Sequence, residues 1–141
     1  MDLKRWILAT LGAFAVILIG DTLIHHVWLG AFYQAHAQWW RPAAQMQQVM
    51  GFMFASEIAL AVLLTFVYSK GYEPHKGTLG QGFRFGVLMG LLLTVPCGLM
   101  NFFIFPYPLS LILNWIIGGI LETTAAGLMI GYLYKPAKSA K

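Results

Sequence analysis

Three acidic side chains interrupt the hydrophobic stretches of this chain: Asp21, Glu57 and Glu122. A carboxylate in hydrocarbon costs roughly 2.5–3.5 kcal/mol on insertion scales, so intramembrane acids mark functional sites by default. His25 follows Asp21 by one helical turn, which places the two side chains on the same face of a helix. These four residues are therefore the first candidates for a buried polar site.

The chemistry of such a site depends on how its charge is balanced. Carboxylates packed together repel one another and lose hydration, so not all three can stay charged unless a positive charge compensates them. They must carry protons, share protons, pair with His25 or hold a cation. Each of these states corresponds to a different function.

Four apolar segments position these acids. They run over about 6–29, 49–68, 84–105 and 110–134, and each is close to the roughly 20 residues that a membrane-spanning helix needs. The chain is 59% hydrophobic and 10% charged. We therefore predict an all-α fold, a single integral-membrane four-helix bundle over residues 1–141. The first segment is too long, and too interrupted by Asp21, for a cleaved signal peptide, so we expect it to be retained.

The distribution of basic residues predicts the orientation. Eight of the nine Lys and Arg residues lie at the N-terminus, in the 69–84 connection or in the C-terminal tail, and Arg41 alone lies in the 30–48 connection. By the positive-inside rule both termini should be cytoplasmic, and we expect a bacterial inner membrane. Segment 30–48 should lie in the opposite interface as a short amphipathic element, anchored by Trp39, Trp40 and Arg41.

The depth of the polar residues can be estimated from the helical rise. Asp21 lies roughly 24 Å from the first basic anchor, and Glu57 and Glu122 lie about 20 Å from theirs. All three therefore fall between the midplane and the outer third of a ~30 Å hydrocarbon core. Two amides reach a similar level. The predicted polar cluster comprises Asp21, His25, Glu57, Asn101, Asn114 and Glu122.

Small residues predict where the helices approach one another. Two small-xxx-small pairs favour close helix contact: Gly86 with Gly90, and Gly127 with Gly131. The spacing from Lys4 to Asp21 equals that from Arg84 to Asn101. That match suggests two parallel two-helix repeats, and coincidence is the alternative.

Three functions remain open from the sequence. Without a catalytic motif, and with short loops, the first is a non-enzymatic accessory or scaffold subunit that contacts other membrane subunits or itself in the lipid bilayer. The scattered basic residues argue against a nucleic-acid partner. The second is a membrane-embedded binding protein for a metal, haem or quinone-like ligand. The third is a proton- or ion-coupled carrier that works as an oligomer.

The second hypothesis names specific ligands. The stronger candidates are Asp21, His25, Glu57 and Glu122, and the weaker ones are Met46, Met50, Met53, His26 and His36. Thioether and imidazole groups suit copper, although methionines at helical spacing also serve as ordinary core residues. The single cysteine, Cys97, permits neither an intrachain disulfide nor a CxxC redox motif.

Several short segments carry a resemblance. They are Asp21-Thr-Leu-Ile-His25, Trp40-Arg41-Pro42, Lys70-Gly-Tyr-Glu73 and Trp115-Ile-Ile-Gly-Gly-Ile-Leu-Glu122. In these segments the chain resembles a group of small, uncharacterised four-helix proteins of the bacterial inner membrane. The resemblance implies a four-helix bundle and implies no activity.

Overall fold

The computed structural model describes residues 2–134. These residues form helices and connecting turns, with no strand among them. Four helical stretches are long and apolar enough to cross a membrane: Leu3–Trp28, Met50–Lys70, Thr78–Ile104 and Leu109–Leu133. The prediction of an all-helical fold with four apolar spans is confirmed, and these spans indicate an integral membrane protein.

The element order is simple. Helix α1 (Leu3–Asp21) continues without a break as a π-helix (Thr22–Trp28). Two short helices, α2 and α3, and a 3-10 turn then lead into the second span. Their bounds and those of the remaining long helices are α2 Gly30–Ala35, the 3-10 turn Ala37–Trp39, α3 Ala43–Gln48, α4 Met50–Gly71, α5 Thr78–Ile104 and α6 Leu109–Leu133.

Helix α1 lies between α4 and α6, and α5 packs on the far side of α6. Two of the fully buried α1 residues are Ala9 and Ala13, and their neighbours include Ala61 of α4 and Ala126 of α6. Because alanine side chains are short, the three helix backbones can approach closely, as is common between membrane helices. The helices thus follow the spatial order α4, α1, α6, α5.

The outward faces of these helices are apolar. Phe103 is 85% exposed and Phe52 is 79% exposed, and many leucines and isoleucines on all four long helices are also exposed. In water such a surface would favour association. On a membrane-spanning helix it is the surface that meets lipid.

The helix boundaries differ from the sequence prediction mainly at the third span. We expected it to begin near Arg84, but α5 begins at Thr78, with Gly77 as its N-cap. The Gln81 side chain explains the earlier start, because it donates to the carbonyl oxygens of Glu73 and Lys76 and accepts from the Glu73 N–H. This network fixes the α4–α5 turn against the first turns of α5.

Two other predictions concern the C-terminal tail and the 30–48 segment. The predicted orientation depends partly on three lysines that lie outside the described residues: Lys135, Lys138 and Lys141. The 30–48 segment forms α2, the 3-10 turn and α3, and Pro42 is the N-cap of α3. Arg41 in this segment is exposed.

Candidate functional site

The π-helix at residues 22–28 positions the polar residues of the first span. Its last hydrogen bond runs from the Leu29 N–H to the Ile24 carbonyl, five residues back, at 2.9 Å. A wider turn changes the angle between successive side chains, and π-helical turns recur at functional sites for that reason. Here the turn carries His25 and His26, directly after Asp21 at the end of α1.

A cavity of about 300 Å³ lies beside this turn, between the first span and α4. Its lining combines acidic, imidazole, hydroxyl and apolar side chains. The lining residues are Leu18, Asp21, Thr22, His25, His26, Met53 and Glu57. The cavity therefore joins the first two spans, as a polar site inside largely apolar helices.

The three acids come together around Asp21. The Asp21 carboxyl lies close enough to Glu57 and Glu122 to interact electrostatically with both. Gly20 makes room for Glu122, since a Cβ at that position would lie 2.8 Å from Glu122 Cγ. Ionised carboxylates only accept hydrogen bonds. Each of these carboxyl contacts therefore becomes a hydrogen bond only when a proton is shared.

Glu57 is the most enclosed of the three acids. Its side chain belongs to a residue that is only 4% exposed. Its Oε2 atom is buried and has no hydrogen-bond donor among the described residues. A buried acceptor without a donor costs about 1–3 kcal/mol, and more when it is charged. Glu57 therefore lowers the stability of the folded protein, and helix packing alone does not require it.

A chain of hydrogen bonds reaches the cluster from the other side. The Trp115 indole N–H donates to the Tyr33 hydroxyl oxygen at 2.7 Å. The Tyr33 hydroxyl lies 2.7 Å from His25 Nδ1, and the two rings are stacked with centroids 5.8 Å apart. Burial raises the pKa of the Tyr33 phenol, so the hydroxyl keeps its proton at neutral pH.

That chain favours one tautomer of His25. Because the Tyr33 hydroxyl accepts from Trp115, its own proton is available to be donated to His25 Nδ1. An imidazole that accepts at Nδ1 and carries one proton has it on Nε2. His25 Nε2 lies 3.6 Å from Asp21 Oδ1. This is too long for a hydrogen bond but close enough for the N–H dipole to face the carboxylate.

A group of aromatic rings in mutual contact covers this end of the molecule. Tyr33 and Tyr107 each contact Trp40 with centroids 5.2 and 5.5 Å apart, and Trp39 lies 5.7 Å from Tyr107. The aromatic cluster consists of Phe32, Tyr33, His36, Trp39, Trp40, Tyr107 and Trp115. It ties the short helices after the first span to α6 and holds Tyr33 over His25.

Some residues predicted for the site lie elsewhere. Asn101 and Asn114 are not among the described residues that line the cavity, and the Asn101 amide faces Cys97 on its own helix at 3.7 Å. His36 stacks on Phe32 with centroids 4.2 Å apart. Met53 lines the cavity, whereas Met46 and Met50 do not appear in its described lining.

The arrangement of the potential metal-binding side chains bears on the metal hypothesis. Within residues 2–134, no group of three or more His, Cys, Asp and Glu side chains is arranged to hold a metal ion. Asp21, His25, His26 and Glu57 line the cavity, and Glu122 is not in its described lining. The metal hypothesis for Asp21, His25, Glu57 and Glu122 therefore gains no support from the arrangement.

Sequence reasoning missed Tyr33, Trp115 and Thr22. Aromatic residues near span ends are typical of the membrane interface, but here the Trp115 N–H donates to the Tyr33 hydroxyl, which in turn contacts His25. Thr22 donates to the Leu18 carbonyl at 2.8 Å, which leaves its oxygen facing the cavity as an acceptor. The adjacency of Thr22 to Asp21 was the one signal in the sequence that pointed to it.

The chain matches no protein-family model, and neither a curated protein nor a solved structure is significantly similar to it. Its function is therefore argued from the geometry of the cavity.

Proposed function

We propose that this chain is a membrane-embedded binding protein that holds a small ligand in the cavity between the first span and α4. The observation that carries the proposal is Glu57, a carboxylate that is almost fully buried beside the cavity and whose Oε2 has no donor among the described residues. A bound ligand would supply the missing donor.

A scaffold or accessory-subunit role explains less of the molecule. Apolar side chains and close alanine and glycine contacts hold the bundle together, and the buried core between α1 and α4 already includes Ala9, Ala61 and Leu64. Adding a buried acid beside that contact weakens the packing, because the group loses its hydration. Ligand binding therefore explains the destabilising Glu57 better than subunit assembly does.

The size of the cavity limits the ligand. Its volume of about 300 Å³ is at the lower end of the range for small-molecule sites. A haem would need a larger site. A compact molecule, held between polar and apolar walls, fits better than a large planar cofactor.

The proposal includes an orientation. With eight of nine basic residues at the N-terminus, in the 69–84 segment or in the C-terminal tail, we place both termini in the cytoplasm of a bacterial cell and the protein in the inner membrane. The cavity then faces the outer half of the bilayer. The pairing of α1 with α4 and of α5 with α6 is compatible with two parallel repeats.

The test is to look for the ligand in the purified protein. We expect protein purified in mild detergent to release a small molecule near one-to-one stoichiometry on denaturation, detected by mass spectrometry with elemental analysis and an absorption spectrum. Glu57→Gln should lose that molecule. Glu73→Gln, which alters an exposed acid paired with Lys76, should keep it.

A different result would favour the assembly role. If the wild-type protein and both variants carry the same background of lipid and detergent, and if they co-purify with another membrane subunit, the binding proposal fails. The accessory role then becomes the better explanation.

A further inference from the structure

We infer that the ligand is a small organic ammonium ion with a short apolar body. This inference rests on the proposed binding function and adds the chemical class of the ligand. It is carried by what the cavity wall can offer, by the charge balance around Asp21 and by the position of the unpartnered Glu57 oxygen.

The polar wall consists mainly of hydrogen-bond acceptors. Asp21 and Glu57 present carboxyl oxygens. The Thr22 hydroxyl donates its proton to the Leu18 carbonyl at 2.8 Å, so its oxygen remains as an acceptor. A primary ammonium group has three N–H donors and no acceptor. It therefore matches the acceptors that Glu57, Asp21 and Thr22 supply, whereas a carboxylate or phosphate ligand would be repelled by the two carboxylates and would find its donors only on His25 and His26 in the described lining.

The charge around the acids is uncompensated by the protein. The described lining contains no lysine or arginine, and the ion-pair neighbour of Asp21 within residues 2–134 is His25. The Tyr33 hydroxyl lies 2.7 Å from His25 Nδ1, and we assign the ring to the neutral Nε2–H tautomer, in which that hydroxyl donates to Nδ1 and the ring adds no positive charge. An ammonium ligand would bring the positive charge that this group of acids lacks.

Two further features of the cavity limit the chemical class of the ligand. A bare metal ion is disfavoured because no described group of three or more side chains has metal-ligating geometry. Leu18 and Met53 also line the cavity, so part of the ligand surface must be apolar. Methionine adapts to irregular apolar shapes, which suits the hydrocarbon part of a small amine.

The experiment compares three probes of the same shape and different charge. Benzylamine, benzyl alcohol and benzoate are titrated into the full-length protein in mild detergent, and binding is followed by calorimetry and by saturation-transfer NMR. We expect benzylamine to bind measurably more tightly than the alcohol, and benzoate to bind least. This comparison uses the wild-type protein and does not depend on a variant that folds.

Variants then locate the binding. Glu57→Gln should weaken benzylamine by about tenfold to a hundredfold, the value of one charge-assisted hydrogen bond, with little change for benzyl alcohol. Asp21→Asn should act in the same direction. Glu73→Gln is the control and should leave all three affinities unchanged.

These experiments distinguish a failure of the ammonium inference from a failure of the proposed binding function. If benzyl alcohol or benzoate binds as tightly as benzylamine and Glu57→Gln removes that binding, the ammonium inference is overturned while the binding function stands. If benzylamine binds equally well to the wild type and to Glu57→Gln, the inference is overturned because the amine lies elsewhere. If no probe binds and no molecule co-purifies, both proposals are overturned.

Discussion

The two sides of this bundle are built on opposite principles. Between α5 and α6 the backbones nearly touch: a Cβ on Gly86 would lie 2.5 Å from the Thr123 carbonyl oxygen, and one on Gly127 would collide with the Gly82 carbonyl. Between the first span and α4, in contrast, there is a cavity of about 300 Å³ with two carboxyl groups on its wall. The α5–α6 interface is closed by glycines, whereas the interface of the first span with α4 packs on alanines at one end and opens into the cavity at the other.

The comparison separates stability from function. Close glycine contacts gain dispersion energy at every atom and need no polar group. The cavity side gives up that energy and also buries Glu57, which is 4% exposed. We infer that the α5–α6 contact stabilises the molecule. The cavity and the buried Glu57 between the first span and α4 lower this stability, and we attribute that loss to a binding site.

The largest expected effect is on the glycine side. Gly86→Ala should lower the free energy of unfolding by about 3 kcal/mol, because the new methyl group would meet backbone atoms of Thr123 and Thr124 that cannot move aside. Thermal unfolding in detergent, followed by circular dichroism, measures the change.

Gly80→Ala is the matched control on the same helix. A Cβ at Gly80 meets nothing within 4 Å, so replacing this helical glycine should raise the free energy of unfolding by up to about 1 kcal/mol. Equal effects of the two substitutions would contradict the view that close α5–α6 contact supplies the stability.

The second effect should have the opposite sign. Glu57→Met removes a buried acceptor that has no donor in the described structure and keeps a side chain of similar length. We expect the free energy of unfolding of the ligand-free protein to rise by about 1–2 kcal/mol at neutral pH. The measurement is the same thermal unfolding experiment.

Glu73→Gln is the control for this change, because Glu73 pairs with Lys76 at an exposed position and such pairs contribute little. A loss of stability in Glu57→Met, with Glu73→Gln unchanged, would mean that Glu57 is a structural residue. The cavity would then be a by-product of packing.

The sequence predicted the helices better than it predicted the site. Hydrophobic length identifies a span almost without further information, and the four apolar segments became four long helices. Depth along a helix placed Asp21, Glu57 and Glu122 at similar levels, and Asp21 interacts electrostatically with the other two; that they form one functional site stays a prediction. Depth says nothing, however, about which way a side chain points around the helix axis. Asn101 has a similar depth on α5, yet its amide faces Cys97.

The backbone of the first span was beyond sequence reasoning. A π-helix differs from an α-helix by one residue per hydrogen-bonded turn, and the residues 22–28 carry no periodic signal for it. This turn and the aromatic cluster together bring Tyr33 to His25, eight residues earlier in the chain. Tyrosine and tryptophan near a span end predict an interfacial belt, so their hydrogen bonds to the site could be found only in the structure.

The smallest expected effect tests that last connection. Tyr33→Phe removes the hydroxyl between Trp115 and His25 and should lower the free energy of unfolding by only about 1 kcal/mol. The sharper readout is the His25 ring. In the wild type its proton should reside on Nε2, and in Tyr33→Phe the ring should populate both tautomers, as measured by ¹⁵N NMR of histidine-labelled protein. Tyr107→Phe is the control, because Tyr107 packs in the same aromatic cluster and lies outside this hydrogen-bond chain. If the His25 tautomer is mixed already in the wild type, the ring is not held by Tyr33, and its neutrality would need another cause.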